Sequence, residues 1–236
     1  MSLVLEATAL HQRYRGGDGG TIEVLRGLDL QVSSGEFVAI TGESGSGKST
    51  LLHLLGALDA PTAGTVALEG TPYHALGGDG LAALRNRRIG FVFQFHHLLR
   101  DFTALENVMI PLRIGGTEPG AAERRARDLL GSVGLDGRLH HLPAQLSGGE
   151  QQRAAVARAL ATEPGLLLAD EPSGNLDEAN AELLHRLFAG LAREFRTALV
   201  VVTHNRSLAA RADRVLHLAE GVLAHGLPEG AEALPR

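Results

Sequence analysis

Nine residues, Gly42-Glu-Ser-Gly-Ser-Gly-Lys-Ser-Thr50, constrain this chain more than any other stretch. An apolar, β-branched run, Phe37-Val-Ala-Ile-Thr41, leads directly into them, and Leu51-Leu-His-Leu-Leu-Gly-Ala-Leu58 follows with apolar positions at helical spacing. The pattern predicts a strand, a glycine loop and a helix in succession. Glycines let the backbone curl until successive N–H groups point inward, and a helix start adds unpaired donors and a partial positive charge, which together suit phosphate. Lys48 would reach the β- and γ-phosphates, and the Ser49 hydroxyl would take a place on Mg²⁺. A Gly/Ser-rich surface loop can match the same spacing, but the flanking strand and helix favour a nucleotide-binding loop made by Gly42, Glu43, Ser44, Gly45, Ser46, Gly47, Lys48, Ser49 and Thr50.

Composition narrows the setting. A chain of 236 residues suits one domain, with room for an inserted subdomain. Although 44% of the residues are apolar, no uninterrupted apolar run approaches the roughly twenty residues that span a bilayer. A soluble chain is expected. Met1-Ser-Leu-Val-Leu5 does not read as a secretory leader, so export is not expected. With no cysteine there are neither disulfides nor thiolate metal sites. The formal charge of −5 argues against a nucleic-acid binder, and the basic clusters Arg85-Asn-Arg-Arg88 and Arg124-Arg-Ala-Arg127 are read as solvated helix faces. The pairs His96-His97 and His140-His141 have no carboxylate at ligand spacing, and no structural metal site is expected from them.

Along the chain, Leu3 to Tyr14, Ile22 to Val32 and Thr65 to Glu69 read as strands that pair antiparallel beside the loop layer. Ile89 to Phe93 is a further strand ending at Gln94. Residues from about 102 to 160 read as mainly helical, with Ala121 to Leu130 the clearest helix and Pro111, Pro119 and Gly134 as breaks. Two more apolar runs end at Asp170-Glu171 and at Thr203-His204. In a parallel α/β sheet ligands bind outside the carboxyl ends of the strands, so Gly42, Gln94, Asp170 and His204 should converge on one crevice.

Two of these ends carry chemistry. Hydrolysis of a phosphoanhydride needs a metal beside the phosphates and a group that orients and deprotonates water; Asp170 would hold Mg²⁺ and Glu171 would be the base. His204 could contact the γ-phosphate and sense its departure. A third element is Leu146-Ser-Gly-Gly-Glu-Gln-Gln-Arg153, where Ser147 and Glu150 fit a capping box at the start of a helix. A cap does not require Gly148 and Gly149, whereas phosphate approaching bare helix N–H groups would, which makes a second candidate cradle.

The glycine loop, Gln94, Leu146 to Glu150, Leu167-Leu-Ala-Asp-Glu171, Gly174-Asn-Leu-Asp177 and His204 occur in the order found in ATP-binding subunits of ABC transporters, and over nearly the whole chain the sequence resembles that family. The resemblance implies ATP and Mg²⁺ as ligands, and a head-to-tail homodimer with each ATP between the glycine loop of one chain and Ser147, Gly148, Gly149 and Glu150 of the other. It implies that Tyr14 stacks on adenine, that Gln94 links Mg²⁺ and the attacking water to the transporter contact, and that Asp177 bridges the dimer. It also implies integral-membrane permease partners that are separate chains, and a peripheral position at the cytoplasmic face of a bacterial inner membrane.

Within the family, Gln94-Phe-His-His-Leu-Leu-Arg-Asp-Phe-Thr-Ala-Leu-Glu-Asn-Val108 is similar to the branch that releases lipoproteins, with LolC/LolE-like permeases. Pro172-Ser-Gly-Asn-Leu-Asp177 is similar to a wider branch that also includes macrolide exporters and a cell-division ATPase, so export and regulation stand as alternatives. Arg100 and Ser173 depart from the residues common there, proline and threonine. The fold expected is α/β, a P-loop NTPase of ABC ATPase type with a mixed sheet core, an N-terminal antiparallel β subdomain and an inserted helical subdomain. Residues 1–94 and 161–236 would form the core, and 95–160 the helical subdomain.

Overall fold

The computed structural model describes residues 2–17 and 19–226. Two long strands, β1 (Leu3–Arg15) and β2 (Thr21–Ser33), pair antiparallel, and β1 also pairs antiparallel with β4 (Ala63–Leu68), which carries the short β5 (Thr71–Pro72). The second sheet is built from β3 (Phe37–Thr41), β6 (Ile89–Phe93), β7 (Leu166–Asp170), β8 (Ala198–Val202), β9 (Arg214–Ala219) and β10 (Val222–His225). Its order is β10-β9-β3-β8-β7-β6, parallel except for the β9–β10 hairpin. One antiparallel and one mixed sheet are the expected architecture.

The central strands read as continuous apolar runs because both faces of their sheet are covered. Leu166, Leu168, Val200 and Val202 turn to one side, where they pack with the antiparallel sheet and with α1 (Lys48–Leu55). Leu167, Ala169, Leu199 and Val201 turn to the other, against α3 (Ala104–Ile114), α4 (Pro119–Ser132), α5 (Gly148–Leu160) and α6 (Glu178–Phe195). Each buried leucine or valine among them contributes about 1.5–3 kcal/mol, so a polar substitution on either face removes at least a comparable amount.

Some boundaries differ from the sequence reading. The helix expected through Leu58 ends at Leu55: Gly56 caps it, Ala57 turns left-handed, and a Cβ on Gly56 would meet the Phe91 ring at 2.5 Å, so the helix end is pressed onto β6. Pro111, expected as a break, lies inside α3 one turn from its end, where it forgoes the single N–H bond to the Asn107 carbonyl and the helix runs on only to Ile114. Pro119 opens α4, with the Glu118 side chain accepting from Ala121 N–H as its cap. The helix α2 (Gly78–Arg88) has no fully buried residue and therefore no strong apolar period in the sequence. A four-residue helix, α7 (Arg206–Ala209), follows the His204 turn. Among the described residues no helix is long and apolar enough to cross a membrane.

Candidate functional site

Strand register brings the expected strand ends level with one another. Ile40 pairs with Val202, Val202 with Asp170, and Asp170 with Phe93. The residues that follow, Gly42, Gln94, Glu171 and His204, therefore emerge along one edge of the sheet, and all four line a single cavity of about 580 Å³. Tyr14, Val24, Ser44, Gly45, Gly47, Lys48, Ser49, Thr50 and Asp170 complete its lining.

The glycine loop is shaped by close approaches. Gly42 has φ +156° and a Cβ there would lie 2.5 Å from the Leu218 carbonyl oxygen; Gly47, at φ +100°, would strike Val24 at 2.8 Å. Gly47 is the N-cap of α1 and supplies no side-chain cap, so the first-turn N–H groups stay open toward the cavity. Lys48 Nζ donates to the carbonyls of Gly42 (2.8 Å) and Glu43 (2.7 Å), which folds the ammonium back over the loop. Glu43 and Ser46 do not line this cavity but a neighbouring one, which shares Ser44 and Gly45 with it and is bounded by Glu220 and Gly221. Tyr14 is 40% exposed, with its hydroxyl 3.2 Å from Asp59 Oδ2. A tyrosine at the cavity rim replaces the core or strand-edge position that its place in β1 suggests.

Asp170 closes β7 beside Ser49; burial raises its pKa, and the neighbouring Glu171 charge adds to the rise while the Ser49 hydroxyl opposes it. Ser49, Gln94 and Asp170 thus present hydroxyl, amide and carboxylate oxygens to one space, a hard-donor set that fits Mg²⁺. Glu171 sits in the left-handed region at φ +43°. It is held there by Thr203 Oγ1, which donates to Oε2 at 3.0 Å, by the His204 N–H at 3.0 and 3.2 Å from the two oxygens, and by His204 Nδ1 at 2.8 Å from Oε1. The Glu171 side chain is 16% exposed and that of His204 73%, so the imidazole shields the carboxylate from the solvent side.

Gln94 pairs with Asn175: its amide donates to Asn175 Oδ1 at 3.1 Å, and Asn175 Nδ2 returns a bond to the Gln94 carbonyl at 3.3 Å. Asn175 was not singled out from sequence, although it lies within the Gly174–Asp177 run. Val24 and Thr203 had no signal there either, since a strand valine and a strand-end threonine are ordinary.

The second cradle lies apart. None of Ser147 to Glu150 lines the cavity of their own chain's glycine loop. Ser147 caps α5 by accepting from Glu150 N–H at 3.2 Å, and Glu150 accepts from Ser147 N–H and from Arg138 Nε, both at 2.8 Å. Those bonds, led by the one from Ser147 N–H, hold the Glu150 pKa down at about 2. The two glycines separate here. A Cβ on Gly148 would meet only Leu176 at 4.0 Å, whereas one on Gly149 would lie 2.2 Å from Asn180 Oδ1, so packing against α6 is by itself enough to require a glycine at 149. Asp177 caps α6, accepting from Asn180 N–H at 2.9 Å, and those Asn180 bonds lower its pKa.

The ABC transporter family model matches residues 25–174. The chain is 52% identical over 226 residues to lipoprotein-releasing system ATP-binding protein LolD 2 of Chlorobaculum tepidum, covering 94% of this chain and 92% of that one. It is 53% identical to LolD of Psychrobacter arcticus, covering 94% of this chain and 98% of that one. Among solved structures, the dimeric structure of MJ0796, a bacterial ABC transporter cassette, superposes with TM-score 0.85 at 38% identity, over 93% of this chain and 96% of that one. A dimeric post-hydrolysis state of MJ0796 bound to ADP and Pi gives TM-score 0.86 at 37% identity, over 94% and 100%.

Proposed function

This chain belongs to the ABC transporter family of ATP-hydrolysing subunits, and we propose that its homodimer powers the release of lipoproteins from the bacterial inner membrane toward the outer membrane. It would work at the cytoplasmic face of that membrane, bound to LolC/LolE-like permease subunits. One observation carries the reading: the crevice at the strand ends holds a phosphate loop, a carboxylate pair and a histidine, while the second glycine-bearing helix start lies outside it, so a complete site needs a second copy.

In this reading the open N–H groups of the loop and of α1, with the Lys48 ammonium, take the β- and γ-phosphates of ATP, and Tyr14 takes the adenine face. Ser49, Asp170 and Gln94 would hold Mg²⁺, which supplies neutralising charge at the phosphate oxygens. Glu171, fixed on two sides by Thr203 and His204, orients the attacking water and accepts its proton. His204 reaches toward the γ-phosphate. Ser147 and Gly148 of one chain close over the phosphates held by the other.

The route of work out of the site starts at Gln94. The segment after it is pinned by Asn107, fully buried, which accepts from Leu99 N–H and donates to the carbonyls of Leu99, Phe102 and Thr103. That leaves Phe95 (66%), Leu99 (47%) and Phe102 (41%) exposed, an apolar surface suited to a cytoplasmic helix of the permease. Asp101→Arg with Phe102→Ala should leave folding and ATP binding of the isolated subunit unchanged while co-purification with the permease and its stimulation of ATPase activity fall. A double variant that assembles and releases lipoprotein normally would place the coupling surface elsewhere. Reconstituted with its permease, the wild-type dimer should release lipoprotein only with ATP; ATP-driven export of a macrolide or peptide instead would favour the exporter alternative.

A further inference from the structure

His185, on α6, is 1% exposed and does not line the crevice, yet both of its ring nitrogens are engaged. Nε2 lies 3.0 Å from Ser173 Oγ and Nδ1 lies 3.2 Å from Ser207 Oγ. The two serines belong to different loops: Ser173 follows Glu171 by two positions and Ser207 follows His204 by three. We propose that His185 is a positioning residue for ATP hydrolysis, holding the Glu171 loop and the His204 turn in one fixed relation through a closed ring of hydrogen bonds.

The ring can be followed bond by bond. Glu171 Oε2 accepts from Thr203 Oγ1, which in turn accepts from the Asn205 N–H at 3.0 Å. The side chain of the same asparagine accepts at Oδ1 from Leu208 N–H (3.1 Å), which fixes the orientation of its amide, and from the Ser207 hydroxyl (2.8 Å). With that hydroxyl proton directed to Asn205, Ser207 Oγ must accept from His185 Nδ1–H. Nε2 is then left without a proton and accepts from the Ser173 hydroxyl, which returns the ring to the loop that bears Glu171. Gly174 N–H donates to the Glu171 carbonyl at 3.0 Å and closes that loop locally.

Only the neutral Nδ1–H form satisfies all of these bonds. Its surroundings select that form: burial lowers the His185 pKa, and the Arg211 cation lowers it further, against a smaller opposite effect of Glu182. Arg211 and Glu182 are themselves ion-paired at 2.6 Å, tying the segment after α7 to α6 beside the imidazole.

The arrangement has a task to perform, because Glu171 is a non-glycine residue in left-handed backbone, a conformation that persists only when its surroundings over-determine it. The inference rests on the assignment of Glu171 as the group that orients water. Its test separates the two. His185→Phe keeps much of the ring volume and removes both polar contacts, while His185→Gln keeps an acceptor and a donor; Ser173→Ala with Ser207→Ala removes the contacts and keeps the imidazole. ATPase kinetics, ATP affinity and thermal midpoint are measured for each, with Glu171→Gln in parallel.

For His185→Phe and for the double serine variant, KM and ATP affinity should stay near wild type while kcat falls roughly ten- to hundredfold, the scale of a small misplacement of a reacting group. His185→Gln should recover most of the rate. A wild-type kcat in the double serine variant overturns the proposal, as does an equal loss in the Phe and Gln variants accompanied by falling ATP affinity, which would mark a packing role only. Should His185→Phe fail to fold, the double serine variant decides alone. If Glu171→Gln hydrolyses normally, it is the assignment of the base that fails, whatever the His185 variants do.

Discussion

The two glycine-bearing helix starts of this chain, at Gly47 and at Ser147, differ in what their own chain provides. At Gly47 the cap residue has no side chain to offer, so the N–H groups of the first turn of α1 face an open cavity lined by Lys48, Asp170, Glu171, Gln94 and His204. At Ser147 a capping box with Glu150 already occupies two N–H groups, and Arg138 occupies the rest of the carboxylate. The first start opens onto the crevice; the second is a finished helix end with one exposed glycine, Gly148. An N-terminus capped in this way offers a phosphate less than an open one, and it suits the role of a lid that another chain's nucleotide must recruit.

That contrast is open to attack at both ends. Lys48→Ala should have the largest effect, abolishing hydrolysis and lowering ATP affinity roughly a hundredfold or more, since charge-assisted contacts are worth about 1.5–3 kcal/mol each. Isothermal titration with a folded variant decides it; wild-type affinity would mean the loop is not the primary cradle. Glu171→Gln should keep ATP affinity and lose hydrolysis by roughly 10²–10⁴-fold, and with ATP it should elute as a stable dimer. Adding Ser147→Arg in that background should return it to monomer without loss of ATP binding. A persistent dimer would show that the second helix start takes no part in closing the site.

The resemblance to a known family makes the main chemistry legible in the sequence, and so does plain strand arithmetic: four apolar runs ending at Gly42, Gln94, Asp170 and His204 have to meet if they lie parallel. What the sequence could not convey were contacts between distant segments. Gly149 stands beside Gly148 in sequence, and nothing there tells that Asn180 on α6 sits where its Cβ would be, a packing demand that Gly148 does not share. Asn175 and Thr203 acquire roles only through their partners, Gln94 and Glu171. Pro111 was expected as a break because a proline interrupts a helix interior; α3 continues through it for less than one further turn, to Ile114, at the cost of one ladder bond.

The glycine difference sharpens the comparison at smaller scale. Gly149→Ala should destabilise the fold by roughly 1–3 kcal/mol through overpacking, read as a lower urea midpoint, whereas Gly148→Ala should leave stability unchanged and weaken ATP-driven dimerisation of the Glu171→Gln chain. Equal destabilisation by both would mean that packing explains both glycines. The capping box adds a pH dependence. The Glu150 pKa is about 2 in the folded chain against an ordinary 4.5, so its stabilisation is fully present above 4.5 and is lost as pH falls toward 2. Glu150→Gln should therefore cost roughly 1–2 kcal/mol at neutral pH and less in acid, measured by denaturation at several pH values.

The central claim is that each ATP site is made by two chains, and mixing two inactive variants tests it most directly. Lys48→Ala chains have a disabled phosphate loop and an intact Ser147-Gly148 end; Ser147→Arg chains have the reverse. Each alone should be inactive as an ATPase. Mixed, they can form a dimer with one fully intact site, made by the loop of the Ser147→Arg chain and the helix start of the Lys48→Ala chain, and hydrolysis should reappear in proportion to that mixed dimer. Mixed dimers that form with ATP yet show no activity above the separate variants, or a Ser147→Arg chain that hydrolyses ATP at the wild-type rate by itself, would contradict the two-chain site.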